Sequence, residues 1–221
     1  MKKISSLLAM VILLFLPVTI FAQQVLSFNL SELQEKGQLV TSKRTITVEK
    51  DGQREYIKFG EGIDGSAVFL PVKDFSSGKI EIIARGKDIL QGSFIGVAFH
   101  AVNDSVYDGV YCRPFNFRTT DSLRRIHMIQ YTFSPKYHWP YLRANFNGIY
   151  EKGIANPPAA NEWFKMTLVI NEKTVKAYIN NADTPSLVVD KLSTNTIGKV
   201  GLWGTNCDME SVKIEYANKR N

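Results

Sequence analysis

The chain has 221 residues, 44% of them hydrophobic and 22% charged, with 27 basic against 21 acidic side chains and a formal charge of +6. Lys and Arg are interleaved with Asp and Glu rather than gathered into one block, which argues against nucleic acid as an obligate partner. The two cysteines, Cys112 and Cys207, have neither CxxC spacing nor a His at a ligand-like interval, which argues against structural zinc.

The first element in chain order is an address. Lys2 and Lys3 precede an apolar run from Leu7 to Phe21, and Ile20-Phe21-Ala22 is a small-residue cleavage site, so residues 1–22 are predicted to be a signal peptide. The run is short and broken by Pro17, whereas a membrane span needs about 20 apolar residues. The expectation is an exported, periplasmic or secreted protein that begins at Gln23 and has no stable membrane insertion once the leader is removed. Without Lys2 and Lys3 the basic count falls to 25 against 21 acids, a mild excess of +4. The stretch 23–221 is long enough for one all-β domain with a sizeable core, and nothing in it marks a second domain.

Ser31 to Lys36 is the segment that reads as helix, with Ser31 as N-cap, Gln34 completing a capping box and Gly37 as the stop. From Thr45 onward the pattern changes to short β-rich runs: Thr45 to Val48, Glu55 to Phe59, Ser66 to Leu70, Lys79 to Arg85, Phe94 to His100 and Asp108 to Phe117. Ile126 to Phe133, Phe164 to Ile170, Thr174 to Ile179, Val200 to Trp203 and Ser211 to Tyr216 follow. Turn signals separate them at Asp51-Gly52, Asp64-Gly65, Ser77-Gly78 and Asn171-Glu172-Lys173. Period-two alternation puts Ile80, Ile82 and Ala84 on one face, and Phe164, Met166, Leu168 and Ile170 on another that continues through a tight turn to Val175, Ala177 and Ile179. The spacing predicts an all-β sandwich or barrel rather than alternating βα units.

Asp74-Phe75-Ser76-Ser77-Gly78-Lys79-Ile80-Glu81, Phe94-Ile95-Gly96-Val97-Ala98-Phe99, Glu162-Trp163-Phe164 opening a hairpin that ends at Val175 to Asn180, and Gly198-Lys199-Val200-Gly201-Leu202-Trp203 together carry a resemblance. The chain resembles concanavalin A-like jelly-roll domains over roughly Asp74 to Tyr216, and is similar to laminin G-like domains and to the 3-keto-disaccharide hydrolase type of bacterial exported proteins. The resemblance implies a two-sheet antiparallel jelly-roll sandwich, with glycans the usual ligands at the concave face or its rim.

The segment from Val110 to Glu151 is the richest in chemistry. It interleaves Arg113, Asn116, Arg124, His127, Gln130 and Arg143 with Tyr111, Phe115, Phe117, Tyr131, Trp139 and Tyr141. Guanidinium, imidazole and amide groups read hydroxyls and carboxylates, and aromatic faces cover the apolar side of a ring, so the mixture suits a sugar or another polyol. The candidate ligand-binding residues are Tyr111, Arg113, Asn116, His127, Gln130, Tyr131 and Trp139. Strict alternation places Tyr111, Arg113, Phe115 and Phe117 on one face with Cys112 and Asn116 opposite, and His127, Ile129 and Tyr131 opposite Gln130. Arg113 either forks onto ligand oxygens or is buried against a carboxylate such as Asp121 or Glu151, and Pro114 demands an edge or a bulge.

Catalytic signatures are sparse. His127 and Glu151 are weak catalytic candidates, and the alternating E-x-D-x-x-E-like run of jelly-roll glucanases is absent. No cofactor is expected, with calcium through Asp104 and Asp108 as the one metal reading left open. Cys112 and Cys207 either bridge, worth ~4 kcal/mol for a long loop, or stay reduced and buried. Three functions fit: non-covalent carbohydrate binding, glycoside hydrolysis of the 3-keto-disaccharide type, and a structural or adhesion module contacting protein.

Overall fold

The protein is described here by a computed structural model over residues 23–41, 45–61 and 67–217. The leader predicted over 1–22 and the turn at Asp64-Gly65 lie outside the described residues. In chain order the strands are β1 (Gln23–Asn29), β2 (Ile46–Asp51), β3 (Arg54–Phe59), β4 (Val68–Phe69), β5 (Gly78–Arg85), β6 (Phe94–Ala101) and β7 (Tyr107–Cys112). They continue as β8 (Ile129–Ser134), β9 (Glu151–Lys152), β10 (Phe164–Ile170), β11 (Thr174–Ile179), β12 (Leu187–Asp190), β13 (Lys199–Thr205) and β14 (Cys207–Ala217). Three short helices join them: α1 (Leu30–Glu35), α2 (Ser122–Arg125) and α3 (Trp139–Asn145).

Eight strands form one antiparallel sheet in the order β12-β11-β10-β5-β14-β3-β2, with β1 pairing along the later half of β14. Six form the second, in the order β4-β13-β6-β7-β8-β9. The expected all-β, two-sheet antiparallel sandwich is what forms. Alternating apolar residues from the two sheets meet in one core: Ile80, Ile82, Met166, Leu168 and Val175 from the larger sheet face Ile95, Val97, Val110, Ile129 and Leu202 from the smaller, all nearly or wholly buried. The β10–β11 hairpin falls where the alternation placed it, closed by the Asn171 N–H donating to Thr174 O at 2.9 Å. Cys112 and Cys207 are both buried and are not joined in a disulfide. Burial pushes the Cys112 thiol well above its ordinary range, which leaves it an inert core group.

Three local expectations are corrected. The first helix is capped by Asn29, not Ser31: the Asn29 side chain accepts from the Ser31 and Glu32 N–H groups, and Ser31 is buried inside the first turn. Gly37 does end it, at φ +64, with the Gln38 N–H on Leu33 O and the Gly37 N–H on Gln34 O in a Schellman pair. Gly78 opens β5, paired with Tyr216, rather than making a turn, and a Cβ there would meet Glu215 O at 2.0 Å. The Asp108 to Phe117 run stops being strand at Cys112, where Pro114 begins a 3-10 turn over Pro114–Asn116. Proline has no N–H for the ladder, so the chain leaves the sheet there.

Candidate functional site

Register across the smaller sheet builds the floor of the site. Trp203 pairs with Gly96, Gly96 with Tyr111, Tyr111 with Gln130 and Gln130 with Glu151, so these five residues form one row across β13, β6, β7, β8 and β9. Directly paired residues point to the same side, and the next row, Leu202, Val97, Val110 and Tyr131, points to the opposite side and into the core. Gly96 lets the Trp203 indole lie across β6 and reach Tyr111, ring centroids 4.9 Å apart. An added Cβ at Gly96 would sit 2.4 Å from Trp203 Cε2. Gly96→Ala is therefore expected to lower stability by about 1–3 kcal/mol and to shift tryptophan emission, both read in one thermal denaturation followed by fluorescence.

Polar groups are stacked on that floor. The Arg113 Nη2 donates to the Tyr111 hydroxyl at 2.6 Å and to Gln130 Oε1, and its Nη1 donates to the His127 carbonyl at 3.3 Å. The Tyr111 hydroxyl in turn donates to Gln130 Oε1 at 2.9 Å. Asn116 Nδ2 donates to the same His127 carbonyl at 2.8 Å, while Asn116 Oδ1 accepts from Arg124 Nε at 3.0 Å. Arg124 Nη2 also donates to Phe115 O. Asp121 holds this turn in place by capping α2, accepting from the Leu123 and Arg124 N–H groups. It is thus a helix cap and not the partner of Arg113.

Glu151 is that partner. It is 3% exposed, and its two oxygens take the Arg143 Nε and Nη2 at 2.9 and 2.8 Å. Arg113 Nη1 is 3.6 Å from Glu151 Oε2, and His127 Nδ1 is 2.8 Å from it, close enough for an ion pair but misaligned for a hydrogen bond. Burial alone would raise the Glu151 carboxyl, but the bonds and charge of Arg143, with His127 and Arg113, outweigh it and hold the group below its ordinary value. Burial depresses His127 against the pull of Glu151, so the ring is neutral at neutral pH, and it pushes Tyr111 up to about 12.

Above these groups opens a cavity of about 510 Å³, within the range of small-molecule pockets. Tyr111, Arg113, Asn116, His127 and Trp139 line it, joined by Arg124 and Arg143. Leu90, Gln91, Phe94, Phe115 and Leu123 complete the lining, with the Phe94 and Phe115 rings edge to face at 5.5 Å. Trp139 is half exposed at the first residue of α3, with the Arg143 guanidinium 5.0 Å over its ring.

Comparison with solved structures adds the fold's relatives. A glycoside hydrolase family 16 endo-glucanase from Bacteroides ovatus is similar at a TM-score of 0.52 and 13% identity, over 88% of this chain and 100% of that one. A carbohydrate-binding module from Bacillus subtilis (TM-score 0.45, 12% identity, 78% and 89% of the two chains) and a galectin from Caenorhabditis elegans (0.44, 14%, 75% and 99%) are also similar. The fold is a concanavalin A-like jelly roll. No family model and no curated protein matches the chain, so the likeness to laminin G-like domains and 3-keto-disaccharide hydrolases rests on the sequence motifs.

Within the jelly roll the predicted residues divide. Tyr111, Arg113, Asn116, His127 and Trp139 meet at the cavity, and Gln130 lies fully buried beneath it, orienting Tyr111 and Arg113. Tyr131 is corrected: its hydroxyl donates to Asp108 and accepts the Leu192 N–H at 2.9 Å, inside the sandwich. Asn116 and His127 lie on the same side as Tyr111 because neither is in a strand, which breaks the alternation that separated them. Phe117 turns into the core against Phe164. The Tyr137 to Tyr141 loop is partly helix, with Pro140 in the first turn of α3. Asp108 is wholly buried, accepting from Tyr131 and from Ser193 Oγ at 2.6 Å, while Asp104 bonds Ser105 at an exposed turn. Among the described residues no group of three His, Cys, Asp or Glu side chains is placed to hold a metal, and no helix is long and apolar enough to cross a membrane.

Leu90, Gln91 and Phe94 also reach the cavity, from the turn before β6 and its first residue, and no local motif announces them. Arg124 and Arg143 belong to the Val110 to Glu151 mixture but not to the candidate ligand-binding residues. The Asp121 cap three residues before Arg124 was the available signal for a fixed turn that aims it.

Proposed function

We propose that the protein is an exported carbohydrate-binding jelly roll that holds a glycan in the Tyr111–Arg113–Trp139 cavity. The observation that carries this reading is the convergence of rigidly held polar groups with one half-exposed indole over a single opening. Fixed donors read ring hydroxyls at little entropic cost, and Trp139 offers a face to the apolar side of a sugar. The similar Bacteroides ovatus endo-glucanase supports a glycan as the ligand class for this scaffold.

Binding is favoured over hydrolysis by where the carboxylates are. Glycoside cleavage of the usual kind needs two carboxyl groups, about 5–5.5 Å apart for retention or 6.5–9.5 Å for inversion. Among the described residues no carboxylate lines this cavity, and Glu151 beneath it is held ionised by Arg143, the opposite of a poised acid. His127 and Glu151 are accordingly assigned to positioning.

A glycan array followed by titration of the strongest ligand tests the reading. Trp139→Ala, which removes an exposed ring and little packing, is expected to weaken binding about tenfold, ~1.4 kcal/mol, with an unchanged far-UV spectrum. No glycan captured, or full affinity in this variant and in Arg113→Ala, would remove the site. The exported state is checked separately by N-terminal sequencing of the mature protein, with Gln23 expected first.

A further inference from the structure

We infer that the sugar taken by this cavity is acidic, a ring bearing a carboxylate or a sulfate. The inference rests on the carbohydrate reading above and names its substrate class. Three guanidinium groups, Arg113, Arg124 and Arg143, line the cavity together with His127. The acid that faces them is Glu151, buried beneath and spent on Arg143 through both of its oxygens. One negative charge therefore stands against three positive ones, and the excess is held in a partly desolvated recess where charge is poorly screened.

The donor and acceptor balance points the same way. A neutral sugar presents hydroxyls that donate as well as accept, so its pocket has to supply acceptors. Here Asn116 Oδ1 is taken by Arg124, and Gln130 Oε1 by Tyr111 and Arg113, which leaves the Gln91 amide and the neutral His127 ring as side-chain acceptors against three guanidinium groups. Donor edges remain: the bonds that fix Arg124 use its Nε and Nη2, and those that fix Arg143 also use Nε and Nη2, so neither set engages Nη1. Guanidinium groups already clamped by protein acceptors lose little freedom on meeting an oxyanion, and they match its paired oxygens. Trp139 and Phe94 provide the apolar surface that a sugar ring, unlike a bare inorganic anion, covers.

The test is calorimetric titration of the full mature chain with matched trisaccharides. Oligogalacturonate, oligoglucuronate and oligomannuronate are compared with their carboxyl-reduced forms and with those reduced forms sulfated at O6. At least one acidic member is expected to bind ten or more times tighter than its neutral match, with the ratio shrinking as salt rises from 50 to 200 mM. Whether the carboxylated or the sulfated form holds the advantage identifies the anionic group. Arg124→Gln, at a half-exposed position outside the core, is expected to lower acidic-sugar affinity about tenfold, and Arg124→Lys to restore part of it. A neutral form that binds as tightly as its acidic partner overturns the inference and leaves carbohydrate binding standing. No binding by any member, together with an empty glycan array, removes both.

Discussion

Glu151→Ala is expected to destabilise the fold by about 3–5 kcal/mol, the largest effect of any single substitution at this site. The carboxylate is the counter-charge of Arg113, itself only 6% exposed, and of Arg143 on a two-point fork, with the neutral His127 ring 2.8 Å away. Without it Arg113 is a buried cation with no counter-charge in reach. Urea denaturation at pH 7 measures the loss, and a change below about 1 kcal/mol, the size of an exposed ion pair, would show that the cluster is solvated. The same residue sets an acid limb. Because the folded carboxyl is held below its ordinary 4.5, its contribution is fully present above that value and is lost as pH falls through the lower folded value. Glu151→Gln, similar in shape but unable to ionise, is expected to start less stable and to lack this limb as pH falls below 4.5.

Arg113→Ala is expected to reduce glycan affinity at least a hundredfold, ~2.7 kcal/mol, and to lower the melting temperature as well. The side chain ties three elements: Tyr111 from β7, Gln130 from β8 and the His127 carbonyl between α2 and β8. Removing it strips the charged donor from the Tyr111 hydroxyl, Gln130 Oε1 and the His127 carbonyl, which keep only the Tyr111–Gln130 and Asn116–His127 bonds, a cost of about 1.5–3 kcal/mol for each bond to a charged group. Arg113→Lys separates charge from geometry, since one ammonium cannot span these partners; affinity about tenfold below the parent with most of the stability kept is the expected pattern. Affinity unchanged in both variants would mean that ligand touches only the rim formed by Trp139 and Leu123.

The legible parts of this protein were those in which the rule is local. Phe164, Met166, Leu168 and Ile170, then Val175, Ala177 and Ile179, recur at every second position, and their strands begin and end where that recurrence does. The same rule failed at the site because it was carried through places where the chain is not extended. Pro114 ends β7, so Asn116 turns back toward Tyr111, and β8 starts only at Ile129, which frees His127 from the face assigned to it. Tyr131, inside the strand, obeyed alternation and for that reason faces the core, opposite Gln130. The two-residue β9 carries no periodic signal, yet its pairing with β8 delivers Glu151. Trp139 was recognised by its chemistry and Leu90 was not, since an exposed leucine in a loop is indistinguishable from many others.

By itself the amino-acid order determined the β class, the hairpin and most of the core, because pleat and turn geometry depend on residues a few positions apart. The order β13-β6-β7-β8-β9 and its register decided the rest: which arginines meet which acid, that one carboxylate is shared among Arg113, His127 and Arg143, and that a cavity opens above them. Apart from Arg143 and Glu151, eight positions apart, those contacts join residues well separated along the chain. They follow from how the strands pair, which no short window of sequence contains.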